Sequence, residues 1–466
     1  PMTHQPLWRT STSATHTRAA HGQPHTEAPG SDSPAAITRT ILRDLFGSPE
    51  GREIAVRLWE GTLETPAPAR APRCTIILRR PGALRRMLLP PSELALGEAY
   101  LTDDFDVEGE MEAAVRLSDT LAGGIGSPRL LASLAARLRM LPADDLPPSA
   151  SRERPALAGL GTRHTRRRDA AAVRYHYDVG NDFYALWLDR RMVYSCAYFP
   201  TGEEDLDGAQ EAKLEHICRK LRLRAGERLL DIGCGWGGLV QYAAERYGVE
   251  ALGVTLSAPQ AELARERIAA AGLGDRCHVE VRDYRDLPRT QPFDKIASVG
   301  MFEHVGRSRL LTYFNTAYRL LRPGGLFLNH GIAEGPARRH GMSLPARLLW
   351  RPGSFVATYV FPDGELIPPG DALQYAELAG FETRDVENLR EHYTLTLRHW
   401  VRRLEAQRQR AVEMVGEPTY RVWRLYMAGA AHSFASGGNS LIQALFARPH
   451  ADGTVELPPT RSDLYR

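Results

Sequence analysis

Residues Leu229–Gly238 read Leu-Leu-Asp-Ile-Gly-Cys-Gly-Trp-Gly-Gly, and this stretch decides the fold of the chain. A short apolar segment runs into closely spaced glycines, and apolar residues follow from Leu239 at helical spacing. Glycine lets the backbone turn sharply and approach a ligand closely. A strand, a glycine turn and a helix, in this order, are typical of the nucleotide site in a doubly wound sheet.

The glycines alone leave two cofactors open. Gly233, Gly235 and Gly238 satisfy the G-x-G-x-x-G pattern of dinucleotide sites, in which a pyrophosphate rests on a helix N-terminus. Asp231 argues against a pyrophosphate, because its carboxylate suits a cationic amino group better. The end of the next strand, residues 254–257, reads Val-Thr-Leu-Ser and lacks the acidic residue that binds a ribose in dinucleotide sites.

The pattern D-x-G-x-G-x-G from Asp231 resembles motif I of class I S-adenosylmethionine-dependent methyltransferases. Asp283-Tyr284 resembles the adenine-contacting element of the same class. Between residues 170 and 448, apolar segments of strand length alternate with helical stretches, which argues for a parallel, doubly wound sheet. The candidate strands are Arg228–Asp231, Ala251–Thr255, His278–Val281, Lys295–Val299 and Gly325–His330.

We therefore predict an α/β fold, a doubly wound, Rossmann-like class I methyltransferase domain over residues 169–449, preceded by a small α+β domain over residues 37–141. Residues 1–36 are poor in large apolar side chains and are predicted to be a disordered tail. Residues 142–168 are predicted to be a basic linker, and residues 450–466 a loose polar tail. The basic run at the end of the linker is either a solvated surface or a patch for anionic lipid headgroups.

Composition narrows the function classes. Lys and Arg number 59 against 56 Asp and Glu, a net charge of +3, so nucleic acid is not expected as a partner. The five cysteines are scattered and form no CxxC pair, which predicts reduced thiols in a cytoplasmic protein and no metal site. No run of about 18 apolar residues suggests a membrane span. Transient contact with the inner membrane surface remains an expectation.

Three further segments carry a specific resemblance. They are Tyr175–Tyr184 (YHYDVGNDFY), Met192–Phe199 (MVYSCAYF) and Ser298–Gly306 (SVGMFEHVG). Together with the glycine stretch they closely resemble the cyclopropane-fatty-acyl-phospholipid synthase family, which includes the mycolic acid cyclopropane synthases. The resemblance covers about residues 170–448.

The resemblance implies a methylene transfer to an unsaturated phospholipid. The π bond of a cis-unsaturated acyl chain attacks the sulfonium methyl of S-adenosylmethionine, a base takes a proton from the new methyl, and a ring closes. In the family the base is a bound bicarbonate ion, whose contacts correspond here to Cys196, Glu303, His330, Tyr393 and the backbone of Ile332. The resemblance places the cofactor among Tyr194, Ser195, Asp231, Gly233, Gly235, Gly237, Thr255, Leu256, Gln260, Asp283 and Tyr284.

Each of these residues also has an ordinary structural explanation when taken alone. Free cysteine is often simply buried, which fits Cys196. Glu303 with His304 fits a surface pair at a strand end. His330 fits a hydrogen-bonded core histidine, and Tyr393 fits a packing residue of an amphipathic helix. The motifs together favour the functional interpretation, because one hypothesis places all of these residues around one cavity.

Product and partners stay open. A related group of the family makes a methylene branch instead of a ring and needs a separate reductase as partner. Residues 359–365, 392–393 and 422–428 resemble that group, whereas residues 194–198 and 301–306 resemble the ring formers. Two other classes are a methyltransferase for a small polar acceptor and a catalytically inactive lipid-binding protein. Residues 334–355 form a longer insertion than is usual, and a homodimer is a further possibility.

Overall fold

The computed structural model describes residues 33–67, 71–124, 128–143, 164–177, 179–339 and 354–465. Most of the predicted tail, most of the basic linker and the centre of the insertion at 334–355 lie outside these ranges. No helix within the described ranges is both long and apolar enough to cross a membrane. All five cysteines are buried, and none is joined in a disulfide.

The N-terminal unit begins earlier than predicted. Helix α1 (Pro34–Phe46) starts with a proline at its first turn, and the Ser33 hydroxyl accepts a hydrogen bond from the Ala36 N–H at 3.2 Å. Both features favour a helix start, because they suit the unpaired N–H groups of the first turn. Ala35 is buried, so residues 34–36, which were predicted to belong to the tail, are part of this helix.

The described part of this unit holds a four-stranded sheet in the order β2-β1-β3-β4. Strands β1 and β3 run parallel, and β2 and β4 pair antiparallel at the edges. The strands are β1 (Ile54–Arg57), β2 (Leu63–Glu64), β3 (Cys74–Leu78) and β4 (Phe105–Gly109). The remaining helices are α2 (Ala83–Leu88), α3 (Glu93–Leu101), α4 (Met111–Gly124) and α5 (Pro128–Met140).

The larger unit is built on a sheet that has seven strands in the described residues, in the order β10-β11-β9-β8-β5-β6-β7. Strands β5 to β9 are mutually parallel, which confirms the predicted fold class. Strand β11 differs from the prediction of a parallel sheet, since it pairs antiparallel with both β9 and β10, whereas β10 runs in the same direction as β9. The strands are β5 (Arg228–Ile232), β6 (Glu250–Thr255), β7 (Cys277–Val281), β8 (Phe293–Val299), β9 (Leu321–Glu334), β10 (Glu382–Asn388) and β11 (Asn439–Ala447).

Helices cover both faces of this sheet. Side chains of a strand alternate between faces, so Leu229 packs with one apolar cluster and Leu230 with the other. The helices are α6 (Arg166–Tyr177), α7 (Asn181–Ala185), α8 (Leu206–Leu221), α9 (Gly238–Tyr247), α10 (Ala258–Ala270), α11 (Leu310–Leu320), α12 (Phe355–Tyr359), α13 (Pro369–Leu378), α14 (Arg390–Ala406) and α15 (Arg408–Ala435). Helix α15 is interrupted at Gly416, where φ is +80°.

Parts of the predicted linker and of the predicted C-terminal tail make specific contacts with the larger unit. The end of the basic linker is the first turn of α6, where Arg166 pairs with Asp286 at 2.6 Å and Arg168 pairs with Asp363 at 3.0 Å. These arginines are therefore held by carboxylates of the same chain. The C-terminal segment was predicted to be loose, but Leu464 is buried in it.

The two units are joined through α15. Its buried Arg424 donates to the Tyr100 hydroxyl at 3.0 Å and to the Val107 carbonyl at 3.1 Å. Arg421 of the same helix donates to the Tyr100 carbonyl at 2.8 Å. The N-terminal unit thus fixes the helix whose other side chains, including Trp423 and Tyr426, contribute to the central aromatic core.

Candidate active site

The glycine turn forms the floor of a cavity at the carboxyl ends of the parallel strands. Gly233 has a φ of +84°, a backbone conformation that side chains with a Cβ rarely adopt. Its N–H and that of Cys234 both donate to the Val254 carbonyl, at 2.9 and 3.0 Å, which ties the turn to β6. A Cβ added at Gly233 would lie 2.9 Å from the Met301 Cβ. Only glycine therefore fits this turn without displacing a neighbour.

The structure brings nearly all of the predicted cofactor residues together. The exception is Gly237, which adopts a φ of +78° at the start of α9 but lies beside Gln241 and Ala264 rather than along the cavity. Gly238 takes its place in the lining. The predicted residues that line the cavity are Tyr194, Ser195, Asp231, Gly233, Gly235, Thr255, Leu256, Gln260, Asp283 and Tyr284.

Asp231 is the buried acid of this cavity. It is the last residue but one of β5 and is 3% exposed, and its Oδ1 has no hydrogen-bond partner among the described residues. Burial raises the pKa of Asp231 to about 7, and the charge of Lys213 opposes that shift. An unpaired buried carboxylate is costly, so the site suits a cationic ligand group. The amino-acid end of S-adenosylmethionine carries such a group, its α-ammonium.

The opposite end of the cavity is organised by side-chain pairs. Asp283 accepts hydrogen bonds from the N–H and Nε of Arg285 at 2.9 and 2.8 Å. Burial alone would raise the pKa of Asp283, but these bonds and the guanidinium charge lower it. Thr255 donates to the Gln260 side-chain oxygen at 2.9 Å. The Tyr284 ring completes a lining with carboxylate and aromatic surfaces that fits an adenosine group.

A second set of predicted residues centres on Glu303. It lies in the short turn that follows β8, and its Oε1 accepts a hydrogen bond from the Ile332 N–H at 2.6 Å. Its Oε2 is buried and has no hydrogen-bond partner within the described ranges. Burial raises the pKa of Glu303 to about 7. The Ile332 N–H, predicted to hold an anion, is therefore engaged by Glu303 in this structure.

His330 lies two residues before Ile332 on β9. Its Nδ1 is 3.1 Å from the Gln443 side-chain nitrogen, and its buried Nε2 has no partner in the described chain. Burial lowers the pKa of His330 well below its ordinary value, so the ring is neutral. If the Gln443 amide donates to Nδ1, the ring proton is on Nε2, where it offers a hydrogen-bond donor.

Cys196 and Tyr393 meet at the start of α14. The Cys196 thiol donates to the carbonyls of Ala197 and Leu389, at 3.2 and 3.7 Å, and the Tyr393 N–H donates to the same Leu389 carbonyl at 3.1 Å. Burial raises the pKa of both the Cys196 thiol and the Tyr393 phenol well above their ordinary values. Both groups are therefore neutral near pH 7, and a neutral thiol is a poor nucleophile.

Comparison with known proteins identifies the family of the chain. Residues 164–444 match the family model for mycolic acid cyclopropane synthetase, which is more than half of the chain. The chain belongs to this family. Residues 40–120 match a separate domain family of unknown function.

Two curated relatives and one solved structure illustrate the similarity. A probable fatty acid methyltransferase of Pseudomonas putida is 41% identical over 89% of this chain and 96% of its own length. The cyclopropane-fatty-acyl-phospholipid synthase of Escherichia coli K12 is 36% identical over 64% of this chain and 72% of its own length. The solved structure is mycolic acid cyclopropane synthase CmaA1, complexed with SAH (S-adenosylhomocysteine) and CTAB. It is 34% identical to this chain, with a TM-score of 0.55, and the match covers 59% of this chain and 97% of that one.

The chain is thus an S-adenosylmethionine-dependent methyltransferase of the cyclopropane synthetase family. The cavity is also lined by residues to which the sequence assigns no role. Tyr177 lines it from the end of α6, and Trp236 lines it from the glycine turn. Tyr177 lies in the motif of residues 175–184. Lys213, which also lines the cavity, had no signal of its own, because a single lysine in a helix is usually exposed.

A cluster of packed aromatic rings adjoins this cavity. Tyr194 packs against Trp400 at a ring-centroid distance of 5.2 Å, and Tyr184 packs against Trp236 at 5.0 Å. His176 stacks on Phe361 at 4.1 Å. Further rings in the cluster are Tyr177, Phe183, Trp187, Trp423 and Tyr426.

Proposed function

We propose that this protein transfers a methylene group from S-adenosylmethionine to the cis double bond of an unsaturated acyl chain in a phospholipid, giving a cyclopropane ring. The observation that carries the proposal is the buried Glu303 carboxylate, whose Oε2 has no partner in the part of the chain described. Its neighbours Met301 and His304 line the cofactor cavity. Burial and, to a lesser extent, the negative charge of Glu303 raise the pKa of the Tyr177 and Tyr393 phenols. Both rings pack in the aromatic core.

The apolar surface of the aromatic cluster beside the cavity suits a hydrocarbon substrate. Trp187 and Trp400 are fully buried, and their rings lie 5.4 Å apart. An acyl chain that develops positive charge must be kept from water, which would otherwise trap it. A dry site also strengthens every electrostatic interaction within it.

Glu303 supplies negative charge in this dry environment. S-adenosylmethionine, when bound, supplies an electrophilic methyl group. Transfer of that methyl group leaves positive charge on the acyl chain, and a nearby carboxylate stabilises such charge as it develops. The faces of Tyr and Trp rings contribute in the same sense, because their π systems attract cations.

We infer that bicarbonate is the base that takes the proton. Among the described residues, the Nε2 of His330 is a buried donor without a partner, and Oε2 of Glu303 is a buried acceptor without one. We infer that the phenol of Tyr393 is a second donor to the ion. The Cys196 thiol and the Ile332 N–H are both engaged within the protein. An anion that binds to the Ile332 N–H must therefore take the place of Glu303 Oε1.

A methylene-branched product is the second candidate. The specific observation in its favour is the 41% identity to a relative named as a probable fatty acid methyltransferase, over 96% of the relative's length. In both products the proton leaves the new methyl group, and the position of the positive charge at that moment separates them. Loss of the proton from the first carbocation closes a ring. If a hydride of the chain first shifts so that the charge lies on the carbon that bears the methyl group, the same loss leaves an exocyclic methylene that a partner reductase would have to reduce.

The test uses purified protein, S-adenosylmethionine and vesicles of oleoyl phospholipid in carbon dioxide-free buffer, with and without added bicarbonate. Fatty acid methyl esters are then analysed by gas chromatography and mass spectrometry. A ring product that depends on bicarbonate supports the proposal in full, and a methylene alkene moves the protein to the branching class.

Two further outcomes would contradict the proposal. Absence of any lipid product, with SAH still bound, would indicate a small polar acceptor instead. Absence of SAH binding would indicate a catalytically inactive lipid-binding protein. Vesicles of fully saturated phospholipid are the matched control, because they offer the same surface without a double bond.

A further inference from the structure

Lys213 is a buried cation at the base of the cofactor cavity. It lies in α8 at 1% exposure, and its ammonium donates to the Ser195 hydroxyl at 2.9 Å. Lysine is almost never fully buried unless it is paired, because removing an ammonium from water is costly. Both Lys213 and Ser195 line the cavity. The position of this ammonium therefore calls for a functional explanation.

Helix α8 holds the cofactor-lining segment 193–195 in place. Gln210, one turn before Lys213, donates to the Val193 and Ser195 carbonyls at 3.2 and 2.8 Å. The Asp189 carboxylate accepts from the Val193 N–H at 2.8 Å on the other side. The backbone of the segment is thus fixed without Lys213, so the lysine adds only the orientation of the Ser195 hydroxyl and a positive charge.

The charge of Lys213 acts on Asp231. Among the described residues, Lys213, Cys218 and Cys234 interact with the charge of Asp231, and of these three only Lys213 is a cation. Lys213 in turn lies near Asp189, Asp231, Cys196 and His330. Burial lowers the pKa of Lys213 to about 8 and raises that of Asp231 to about 7. The ammonium therefore opposes protonation of a carboxylate that lacks a hydrogen bond on Oδ1.

We propose that Lys213 is a positioning residue of the cofactor site, which orients the Ser195 hydroxyl and keeps Asp231 ionised to receive the amino group of S-adenosylmethionine. This inference rests on the proposed function only for the identity of the cofactor. It does not depend on which lipid product forms.

The test measures SAH affinity by isothermal titration calorimetry between pH 6 and 9 for Lys213→Gln, Lys213→Met and Lys213→Arg. Lys213→Gln keeps a donor for Ser195 and removes the charge. It should lose about tenfold or more in affinity at pH 7, since each unit of pKa shift changes ionisation tenfold. The loss should shrink toward pH 9, where Asp231 ionises unaided. Lys213→Arg keeps the charge and should restore the affinity at pH 7.

Lys220→Gln is the matched control. Lys220 lies in the same helix, is equally buried, and pairs with Asp385 at 2.9 Å and Glu387 at 2.6 Å, but it does not line the cavity. Its replacement should lower stability without giving a pH-dependent loss of SAH affinity.

Two results would overturn the inference. A loss of affinity in Lys213→Gln that is equal at every pH indicates a merely structural role, and unchanged affinity indicates none. If Lys213→Met does not fold by circular dichroism, the comparison of Lys213→Gln with Lys213→Arg decides alone. Because SAH binding needs no lipid, a failure here is distinguishable from a failure of the proposed reaction.

Discussion

The Ile332 N–H donates a 2.6 Å hydrogen bond to Oε1 of Glu303. This bond joins β9 to the turn after β8 and fixes the carboxylate by one of its oxygens. The other oxygen is left without a partner in the described part of the protein, although it is buried. A carboxylate held in this way has a defined orientation and still has hydrogen-bonding capacity, which is what a site for developing positive charge requires.

Replacing Glu303 by glutamine should abolish methyl transfer while preserving cofactor binding. The amide keeps the size of the side chain but removes the negative charge, and loss of one electrostatic stabiliser typically costs on the order of 10²–10³ in kcat. Turnover on unsaturated phospholipid vesicles and SAH affinity measured on the same preparation check this prediction.

Glu365→Gln is the control for that substitution. Glu365 lies next to Glu303, because its backbone N–H donates to the Glu303 carbonyl at 3.2 Å. The side chain of Glu365, however, is 44% exposed. Its loss should leave turnover within about twofold, because surface substitutions have small effects. Equal losses in both variants would contradict a specific role for Glu303.

Burial of Glu303 should also make stability depend on pH. Its pKa is about 7 in the folded protein against about 4.3 for an unfolded glutamate, so the folded state binds more protons between these values. The stabilising contribution is thus present below pH 4.3 and is lost as the pH rises through 7. Glu303→Gln should gain about 3 kcal/mol relative to the wild type between pH 4.5 and 8, as measured by urea unfolding.

Glu387 should give the opposite pH dependence of the free energy of unfolding in the same experiment. Burial alone would raise its pKa, but the hydrogen bond from His216 and the charge of Lys220 lower the pKa to about 2. Its contribution to stability is present above the unfolded value and is lost as the pH falls toward 2. Glu387→Gln should therefore be destabilised more at pH 7 than at pH 3. Parallel pH profiles for the two variants would refute both assignments.

Gly233→Ala should weaken cofactor binding. The residue has a φ of +84°, and a Cβ there would lie 2.9 Å from Met301. A non-glycine residue in this conformation costs roughly 1–2 kcal/mol, and the contact forces a further shift of the turn. We expect SAH affinity to fall by about tenfold or more by calorimetry, since 1.4 kcal/mol corresponds to tenfold.

Gly226→Ala separates backbone strain from loss of the cavity. Gly226 has a φ of +81°, but a Cβ there would meet nothing within 4 Å. This variant should lose stability to a similar extent, with its SAH affinity unchanged. If both variants lose affinity equally, general destabilisation explains the loss, and the shape of the glycine turn at Gly233 does not explain it.

The fold of the larger unit was largely predictable because Leu229–Gly238 contains its own strand, turn and helix start. The predicted cofactor residues rest instead on the resemblance to a known family, and ten of them line one cavity. Strands β10 and β11 escaped prediction because their pairing is antiparallel and joins residues distant in sequence. The same holds for the C-terminal segment, whose Asp463 pairs with Arg222 at 2.9 Å.

Lys213 shows the other limit of sequence reasoning. Its helix is amphipathic, and nothing local distinguishes a buried lysine from an exposed one. Its partner Ser195 lies 18 residues earlier, and Asp231 lies on a different element. The ion pairs of Arg166 and Arg168 were missed for the same reason, because a run of arginines does not reveal which carboxylates the fold brings to it.

The five cysteines should resist alkylation in the native protein. None is more than 7% exposed, and burial raises the pKa of Cys74 to about 11 and that of Cys277 to about 12. Alkylation needs the thiolate, so burial and a raised pKa both slow it. At pH 8 we expect less than one thiol to react in the native protein on the minute timescale, against all five in urea.

The order of labelling tests whether Cys196 is a nucleophile. Cys234 lines the cofactor cavity, whereas Cys196 is fully buried and its thiol donates to backbone carbonyls. Slow labelling should therefore reach Cys234 first, and SAH should protect it, as mapped by mass spectrometry of tryptic peptides. Rapid labelling of Cys196 ahead of Cys234 would instead reveal an accessible thiolate there. Such a thiolate would be inconsistent with the neutral, packed thiol that a dry methyl-transfer site requires.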